Sequence, residues 1–416
     1  MNVRRLFVLL NRQSQKQARY LWAIADQVIN SAGNLILTSQ LSRALGPVKF
    51  GPVATAYIIL LIFVPVGRAI FSEVINSKAS SERERVEGDR AVRVLTYLIA
   101  AIAMVCSLGV GALRHFDVVS LIFIAFGILL VQDRFRIEWI YRNQTSRAFL
   151  IDFVWLFVQL VSLATFSSVV SPSPRAAVVA WLAGAVISLA FFRRLRGRLS
   201  FRHSFAWARE HVHASLATSA QSLIVNTTAF GPVFIFGAVG KPAWAAGYVA
   251  ASSALGLQSS TLNAVRPLIF RSLADQRGAA SFSDISRRAG ALALLGGVVG
   301  GASYIGLVLF GTRIFGTTAH ISIIVGAWIA LTRSVGGASS VFNGALRSRG
   351  AWGTTLVGEA LTAIEMLAIM VIAAFAISVR WVSPAQTFGA VISLAIWVAL
   401  FRKDQRRSID PVLPSS

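Results

Sequence analysis

The sequence predicts an all-α integral membrane protein with about twelve transmembrane helices. Three observations lead there. Of 416 residues, 55% are hydrophobic and only 14% are charged, whereas soluble domains carry about a quarter charged; the mean hydropathy is +0.66. Apolar runs of about 20 residues, the length a helix needs to cross a bilayer, recur along the chain. Finally, arginine and lysine crowd into alternate hydrophilic gaps. The crowded segments hold Arg4, Arg5, Arg12, Lys16 and Arg19; Lys78, Arg83, Arg85, Arg90 and Arg93; and Arg134, Arg136, Arg142 and Arg147. They continue with Arg193, Arg194, Arg196, Arg198, Arg202 and Arg209; Arg271, Arg277, Arg287 and Arg288; Arg347 and Arg349; and Arg402, Lys403, Arg406 and Arg407. The gaps between hold one cation each: Lys49, Arg114, Arg175, Lys241, Arg313 and Arg380. Such alternation is the positive-inside pattern of an even number of spans with both termini in the cytoplasm.

Reading between the basic clusters places spans near 21–45, 52–72, 91–113, 118–140, 148–170, 176–192, 214–238, 245–270, 289–311, 318–341, 353–378 and 384–401. The first is the weakest by hydropathy, because it carries Asp26, Gln27, Asn30, Ser31 and Asn34. It is required nonetheless, since without it the later loops alternate the wrong way. Outer connections are short turns such as Leu45-Gly46-Pro47, Ser171-Pro172-Ser173-Pro174 and Gly240-Lys241-Pro242, so no gap is long enough for a folded extramembrane domain. A net charge of +23 would suggest a nucleic-acid partner in a soluble chain. Here the cations fall where cytoplasmic loops meet anionic headgroups, so membrane lipids and not nucleic acid are the expected partners. The lone Cys106 lies in an apolar run and allows no intrachain disulfide, and residues 1–20 lack the apolar core of a removable signal peptide.

An internal repeat divides the chain near residue 205. Leu45-Gly46-Pro47-Val48-Lys49-Phe50-Gly51 follows the first span, and Val239-Gly240-Lys241-Pro242-Ala243-Trp244-Ala245-Ala246-Gly247 follows the seventh. The second span ends Gly67-Arg68-Ala69-Ile70-Phe71 and the eighth ends Val265-Arg266-Pro267-Leu268-Ile269-Phe270. An even number of spans per half gives two lobes of like orientation, 1–205 (spans 1–6) and 206–416 (spans 7–12), related by a pseudo-two-fold axis along the membrane normal.

Soluble-enzyme signatures are missing, and the expectation is that the chain is not an enzyme. Gly311-Thr312-Arg313-Ile314-Phe315-Gly316-Thr317-Thr318 lacks the lysine of a phosphate-binding loop and falls on the outer side. His211 and His213 have no carboxylate or cysteine partners in sequence, so no metal site is expected. Asn143-Gln144-Thr145 matches a glycosylation sequon on the cytoplasmic side and is read as chance. The informative residues are polar groups inside spans, which are costly and usually face a bundle interior or a wet cavity. Asp26, Asn30 and Asn34 recur every four residues and form one stripe on the first span; Ser215, Ser219, Ser222 and Asn226 form another on the seventh. Either these stripes line a central cavity between lobes, or they serve helix–helix hydrogen bonding. Arg68 and Arg266 sit about a turn from the cytoplasmic ends of their spans, and Arg43 sits near an outer end; each can snorkel to headgroups. Arg333 and Glu365 lie deep in the tenth and eleventh spans, with Glu359 nearer the cytoplasmic end. Arg333 and Glu365 either pair with each other, or Arg333 meets an anionic substrate while Glu365 or Asp26 carries a coupling ion. Gly296, Gly297, Gly300 and Gly301 form two overlapping GxxxG patterns for close helix packing. Ser334-Val335-Gly336-Gly337-Ala338-Ser339-Ser340 is a candidate flex point.

With these features in hand, the chain resembles a Wzx-type polysaccharide (lipid-linked oligosaccharide) flippase of the multidrug/oligosaccharidyl-lipid/polysaccharide exporter superfamily. The resemblance runs over essentially the whole chain. It rests on the basic start, the first span ending Leu45-Gly46-Pro47, Phe50-Gly51 opening the second span, Gly247-Tyr248 opening the eighth, and the Arg347-Ser348-Arg349-Gly350 linker. The chain departs at Asn226, where many relatives carry an aspartate. The resemblance implies a V-shaped bundle of two six-helix lobes with alternating access across a cationic central cavity. It also implies movement of an oligosaccharide on undecaprenyl diphosphate to the outer leaflet of the bacterial cytoplasmic membrane, for surface polysaccharide biosynthesis.

The site expected from sequence has Arg68, Arg266 and Arg333 as diphosphate contacts, because the guanidinium fork binds phosphate oxygens in pairs. Asn30, Asn34 and Asn226 line the cavity, and Asp26 and Glu365 carry a coupling proton or sodium ion, with no cofactor. Expected partners are the lipid-linked saccharide, membrane lipids, and the glycan polymerase and glycosyltransferases of the same process. The alternatives are a cation-coupled multidrug exporter of the same superfamily and a membrane-embedded glycan polymerase or glycosyltransferase. Few deep acids argue against the first, and the lack of a sizeable outer loop argues against the second.

Overall fold

The computed structural model describes residues 3–70, 82–142, 144–169, 173–191, 201–275 and 280–409, and every regular element among them is helical. Lys78, Arg193, Arg194, Arg196, Arg198, Arg277, Phe71, the Ser171-Pro172 turn and Asn143 of the sequon lie outside the described residues, as do the side chains of Arg4, Arg5, Arg12, Lys16, Arg19, Arg83, Arg85, Arg271 and Arg407. In chain order the helices are α1 (Val3–Arg68), α2 (Glu82–Leu113), α3 (Val118–Tyr141), α4 (Thr145–Val169), α5 (Pro174–Phe191), α6 (Phe201–Ala229) and α7 (Gly231–Ala238). They continue with α8 (Pro242–Ala254), α9 (Gly256–Asp275), α10 (Phe282–Phe315), α11 (Ala319–Ser348), α12 (Trp352–Ile372) and α13 (Val382–Ile409). The starts of α3 and α10 are set by side-chain caps: Asp117 accepts from Ser120 N (2.8 Å) and Ser281 accepts from Asp284 N (3.2 Å).

By length and apolarity seven helical stretches can cross a membrane: Ile24–Arg68, Glu87–Leu113, Val118–Ile140, Thr145–Phe166, Phe282–Ser348, Gly353–Ile377 and Val379–Arg406. The pair α6–α7, bent by 60°, makes an eighth. Ile24–Arg68 at 45 residues and Phe282–Ser348 at 67 residues are each two spans long, broken at Gly46 (φ 66°) and Gly316 (φ 60°). Each expected span falls on one of these helices, on one arm of α1, or on one of the pairs α6–α7 and α8–α9. The chain is a multi-pass membrane protein.

Two compact units form, Met1–Leu45 with Pro52–Leu223, and Gly46–Gly51 with Ile224–Ser416. The division falls inside α6. In the first unit α2 packs on α3 and α4 on α5; the α4–α5 contact is fixed by Trp155, whose Nε1 donates to Trp181 O (2.9 Å). In the second unit α11 is central, packing against α8, α9, α10 and α13. Of the two GxxxG patterns only one is used for packing. A Cβ on Gly296 or Gly300 would meet Ser334 or Gln258, whereas Gly297 and Gly301 have nothing within 4 Å. The glycine-serine stretch 334–340 does not break α11. Gly337 instead admits Leu262 and Leu292 against the helix.

The structure adds two breaks that the apolar pattern does not reveal. The seventh span bends at Phe230 because Pro232 has no N–H to donate to the carbonyl of residue 228, and its ring crowds that turn. The eighth span breaks between Ala254 and Gly256. The repeated turn has a common backbone solution: Gly46 and Gly240 both take positive φ, at 66° and 68°, where a side chain would be strained. Gly51 lies so close to the second turn that an added Cβ would come within 2.4 Å of Pro242 O. Gly51→Ala is therefore expected to destabilise the protein by about 1–3 kcal/mol, the usual range for overpacking. Gly301→Ala, which faces open space, should leave thermal unfolding in detergent unchanged; equal shifts for the two would contradict the packing described.

Candidate substrate and coupling sites

The first unit buries a charged network on α1, α3 and α4. Asp26 and Asp152, 2% and 1% exposed, both face the guanidinium of Arg136. Arg136 Nε donates to Asp26 Oδ2 (3.1 Å) and pairs with Asp152 Oδ2 (3.1 Å), and its Nη2 also donates to Asp26. Asn30 Nδ2 (3.3 Å) and Gln132 Nε2 (3.4 Å) donate to Asp152, while Asn34 donates to Asn30 (3.2 Å). Arg68 grips Asp133 through Nε (2.9 Å) and Nη2, and Asp133 in turn lies 3.8 Å from Arg136 Nη1. Asp26, Asp133 and Asp152 thus share two guanidiniums, Arg68 and Arg136, a local excess of one carboxylate. A neighbouring set places Arg93 (3.1 Å) and Arg142 on Glu138, and Arg134 on Asp89 (2.6 Å).

This corrects the reading of the basic clusters. Arg93, Arg134 and Arg136 are not loop cations at headgroups; their side chains are 6%, 4% and 9% exposed and are ion-paired inside the unit. Charges removed from water persist only with close partners, and these come from across helix contacts: Asp26 and Asp152 for Arg136, Asp89 for Arg134 and Glu138 for Arg93. The four charges Asp133, Arg134, Arg136 and Glu138 within one otherwise apolar helix are the signal that the loop-charge count passed over.

The second unit contains a cavity of about 510 Å³. Its lining includes Asn226, Tyr248, Ser252, Asn263, Arg266, Arg333, Asn343, Glu359, Gln386 and Trp397. The two helix breaks face it, and side chains bond the carbonyls at both. At the first break Tyr248 Oη donates to Ala229 O (2.9 Å) and Gln386 Nε2 donates to the same carbonyl (3.0 Å). At the second, Arg333 Nη1 donates to Leu255 O (2.9 Å) and Ser252 O (3.3 Å), and Nη2 donates to Ser252 Oγ. Gln258 ties that break to its neighbours, donating to Gly296 O (3.0 Å) and Ala330 O (2.8 Å).

Neither Arg333 nor Arg266 has a carboxylate partner among the described residues. Arg266 donates through Nη1 to Asn263 (3.3 Å), while its Nε is buried without a partner. The lining carboxylate Glu359 is neutralised by Arg347 (2.9 Å) and also accepts from Asn343 (2.8 Å). Arg333 and Glu365 do not pair: Glu365 Oε2 accepts from Ser393 (3.3 Å), and Arg333 is held by backbone oxygens. The structure therefore gathers Arg266, Arg333 and Asn226 on one cavity and places Asp26, Asn30 and Arg68 in the first unit's network. Asn34 sits at that network's edge. Tyr248, Gln386, Asn263 and Glu359 are lining residues that no spacing rule singled out as such.

If Arg136 is what makes burial of Asp26 and Asp152 tolerable, Arg136→Gln should lower stability by about 3–5 kcal/mol, as removal of one partner of a buried pair does. Adding Asp152→Asn should restore part of it in the same thermal unfolding measurement. An unchanged transition for the single variant would refute the pairing.

No family model matches the sequence, and no curated protein matches it either. Solved structures do match in fold over nearly the full length. A MATE transporter VcmN variant from Vibrio cholerae is 14% identical with a TM-score of 0.66, covering 94% of this chain and 97% of that one. A MOP-superfamily transporter from Pyrococcus furiosus, described as having a binding pocket of reverse polarity that suggests a different function, is 13% identical with a TM-score of 0.60, covering 94% and 96%. The lipid II flippase MurJ in an inward closed conformation is 11% identical with a TM-score of 0.59, covering 94% and 90%. The chain has the all-helical fold of MOP-superfamily transporters, a fold common to MATE exporters and to a lipid flippase.

Proposed function

We propose that this protein translocates an undecaprenyl-diphosphate-linked oligosaccharide across the bacterial cytoplasmic membrane for surface polysaccharide biosynthesis, as Wzx-type flippases do. The observation that carries this reading is the charge of the second unit's cavity. Arg266 and Arg333 reach it without carboxylate partners, while its own Glu359 is spent on Arg347. An uncompensated cation is costly inside a membrane protein and marks a ligand path; two of them suit a diphosphate, whose oxygens accept charge-assisted hydrogen bonds. Arg333 is held by the carbonyls of a broken helix, so its guanidinium is positioned before any ligand arrives. Asn226 and Asn263 supply neutral polar lining.

Coupling is assigned to the first unit, where the local excess of one carboxylate around Asp26 and Asp152 offers a place for one exchangeable proton or sodium ion. Glu365, with Oε1 unpartnered, is the second candidate. The site opens alternately to the two sides of the membrane, both termini are cytoplasmic, and the glycan polymerase and glycosyltransferases act before and after it.

The buried carboxylates of the first unit also suit a cation-coupled multidrug exporter, so the test must separate the two readings. Loss of the chain from its native host should cause a completed saccharide on undecaprenyl diphosphate to accumulate while surface glycan disappears. Unchanged prenyl lipids together with new sensitivity to cationic drugs would overturn the flippase in favour of the exporter. Arg333→Ala, inserted and folded, is expected to abolish saccharide export. Arg266→Gln should weaken binding of the diphosphate lipid about 10–100-fold, the equivalent of one charged hydrogen bond. Normal export by Arg333→Ala would remove that residue from the mechanism.

A further inference from the structure

Two buried polar atoms on the lining of the second unit's cavity are left without a partner, and they are of opposite kinds. Arg266 Nε is a donor with nothing to donate to, and Glu359 Oε2 is an acceptor with nothing to accept. Every other orphaned side-chain atom among the described residues belongs to a residue outside that lining. The two side chains share one cavity yet form no ion pair with each other, for Arg266 reaches only Asn263 and Glu359 only Asn343 and Arg347. Buried donors and acceptors are rarely left unmet, because each loses its bond to water on burial. A ligand that meets both must bring an acceptor to Arg266 and a donor to Glu359.

Glu359 is built to receive such a donor. It is 5% exposed, and its Oε1 is fixed by Asn343 Nδ2 (2.8 Å) and Arg347 Nη2 (2.9 Å), while Arg347 Nε closes the triangle on Asn343 Oδ1 (2.8 Å). With Oε1 held by two donors, Oε2 is the oxygen that no group among the described residues reaches. A bare lipid phosphate offers acceptors only and would satisfy Arg266 but not Glu359.

We propose that Glu359 Oε2 accepts a hydrogen bond from a hydroxyl of the sugar next to the phosphate, while Arg266 Nε binds a phosphate oxygen, so that this cavity selects a glycosyl phosphate over the unglycosylated prenyl lipid. This rests on the anion-site reading above and adds to it the class of group recognised beyond the phosphate. It gives the cavity a way to reject an empty carrier lipid, since a site whose buried acceptor is left unpaired discriminates against the analogue lacking the donor.

The test measures dissociation constants of the full-length protein in detergent for two probes, undecaprenyl diphosphate and undecaprenyl diphosphate bearing one hexose. Wild type should bind the hexosyl lipid at least about tenfold more tightly, the effect of one hydrogen bond to a charged group. Glu359→Gln keeps an oxygen for Asn343 and Arg347 but exchanges the carboxylate for a neutral amide. It should erase most of that preference, read as the ratio of the two constants, because it also frees Arg347 of its counter-charge and so shifts both absolute affinities together. Arg266→Gln should weaken both lipids alike. Should Glu359→Gln fail to fold, Glu359→Asp, which keeps the charge but withdraws it by one methylene, must lose the same preference. A preference retained in the Glu359 variants, or both lipids weakened equally by them, overturns the sugar contact and leaves the anion site standing. Binding of neither lipid by wild type overturns the anion site and the sugar contact together.

Discussion

The polar groups inside both units answer to one constraint, the cost of holding charge away from water. In the first unit the constraint is met internally. Arg136 carries Asp26 and Asp152 at about 3 Å, and Arg68 and Asp133 neutralise each other alongside. These contacts tie α1, α3 and α4 together across sequence separations of up to 110 residues. Removing one member leaves a partner uncompensated, which is why such networks hold helices together more by the penalty of breaking them than by their net gain.

The second unit meets the same constraint differently. At its span breaks side chains from neighbouring helices bond the backbone carbonyls, which hydrocarbon could not do. Tyr248 and Gln386 serve the break at Phe230; Arg333 serves the break at Leu255. Arg333 thereby has donors satisfied without losing its charge, since carbonyls solvate a guanidinium but do not neutralise it. The difference between the two sites is thus a difference in what partners their arginines: carboxylates in the first unit's network, carbonyls and an asparagine for Arg333 and Arg266 at the second unit's cavity. Only the latter leaves a net positive lining.

That contrast ties packing to function. The Gly296–Gly300 face of α10 lets α9 and α11 approach closely enough for Gln258 to lock the broken span. The locked span in turn presents the carbonyls that hold Arg333. A positioned guanidinium loses little freedom when an anion arrives, which favours recognition over mere attraction.

The sequence by itself determined the all-helical membrane class and the order of the apolar helices, because apolar length is a local, one-dimensional quantity that the bilayer reads directly. It also picked out the polar residues within spans Asp26, Asn30, Asn34, Arg68, Asn226, Arg266, Arg333 and Glu365, since a polar group inside an apolar run stands out wherever the helix ends up. It could not say which charges meet. Arg136 looked like a loop cation beside Arg134, because its partners Asp26 and Asp152 come from other helices and depend on how each is rotated. The break at Leu255 was equally hidden, as Ser-Ala-Leu-Gly carries no proline and the break is maintained by contacts with α10 and α11. Tertiary structure alone decided which arginines are neutralised and which are left to face a cavity, for that follows from distances between helices that no local pattern encodes.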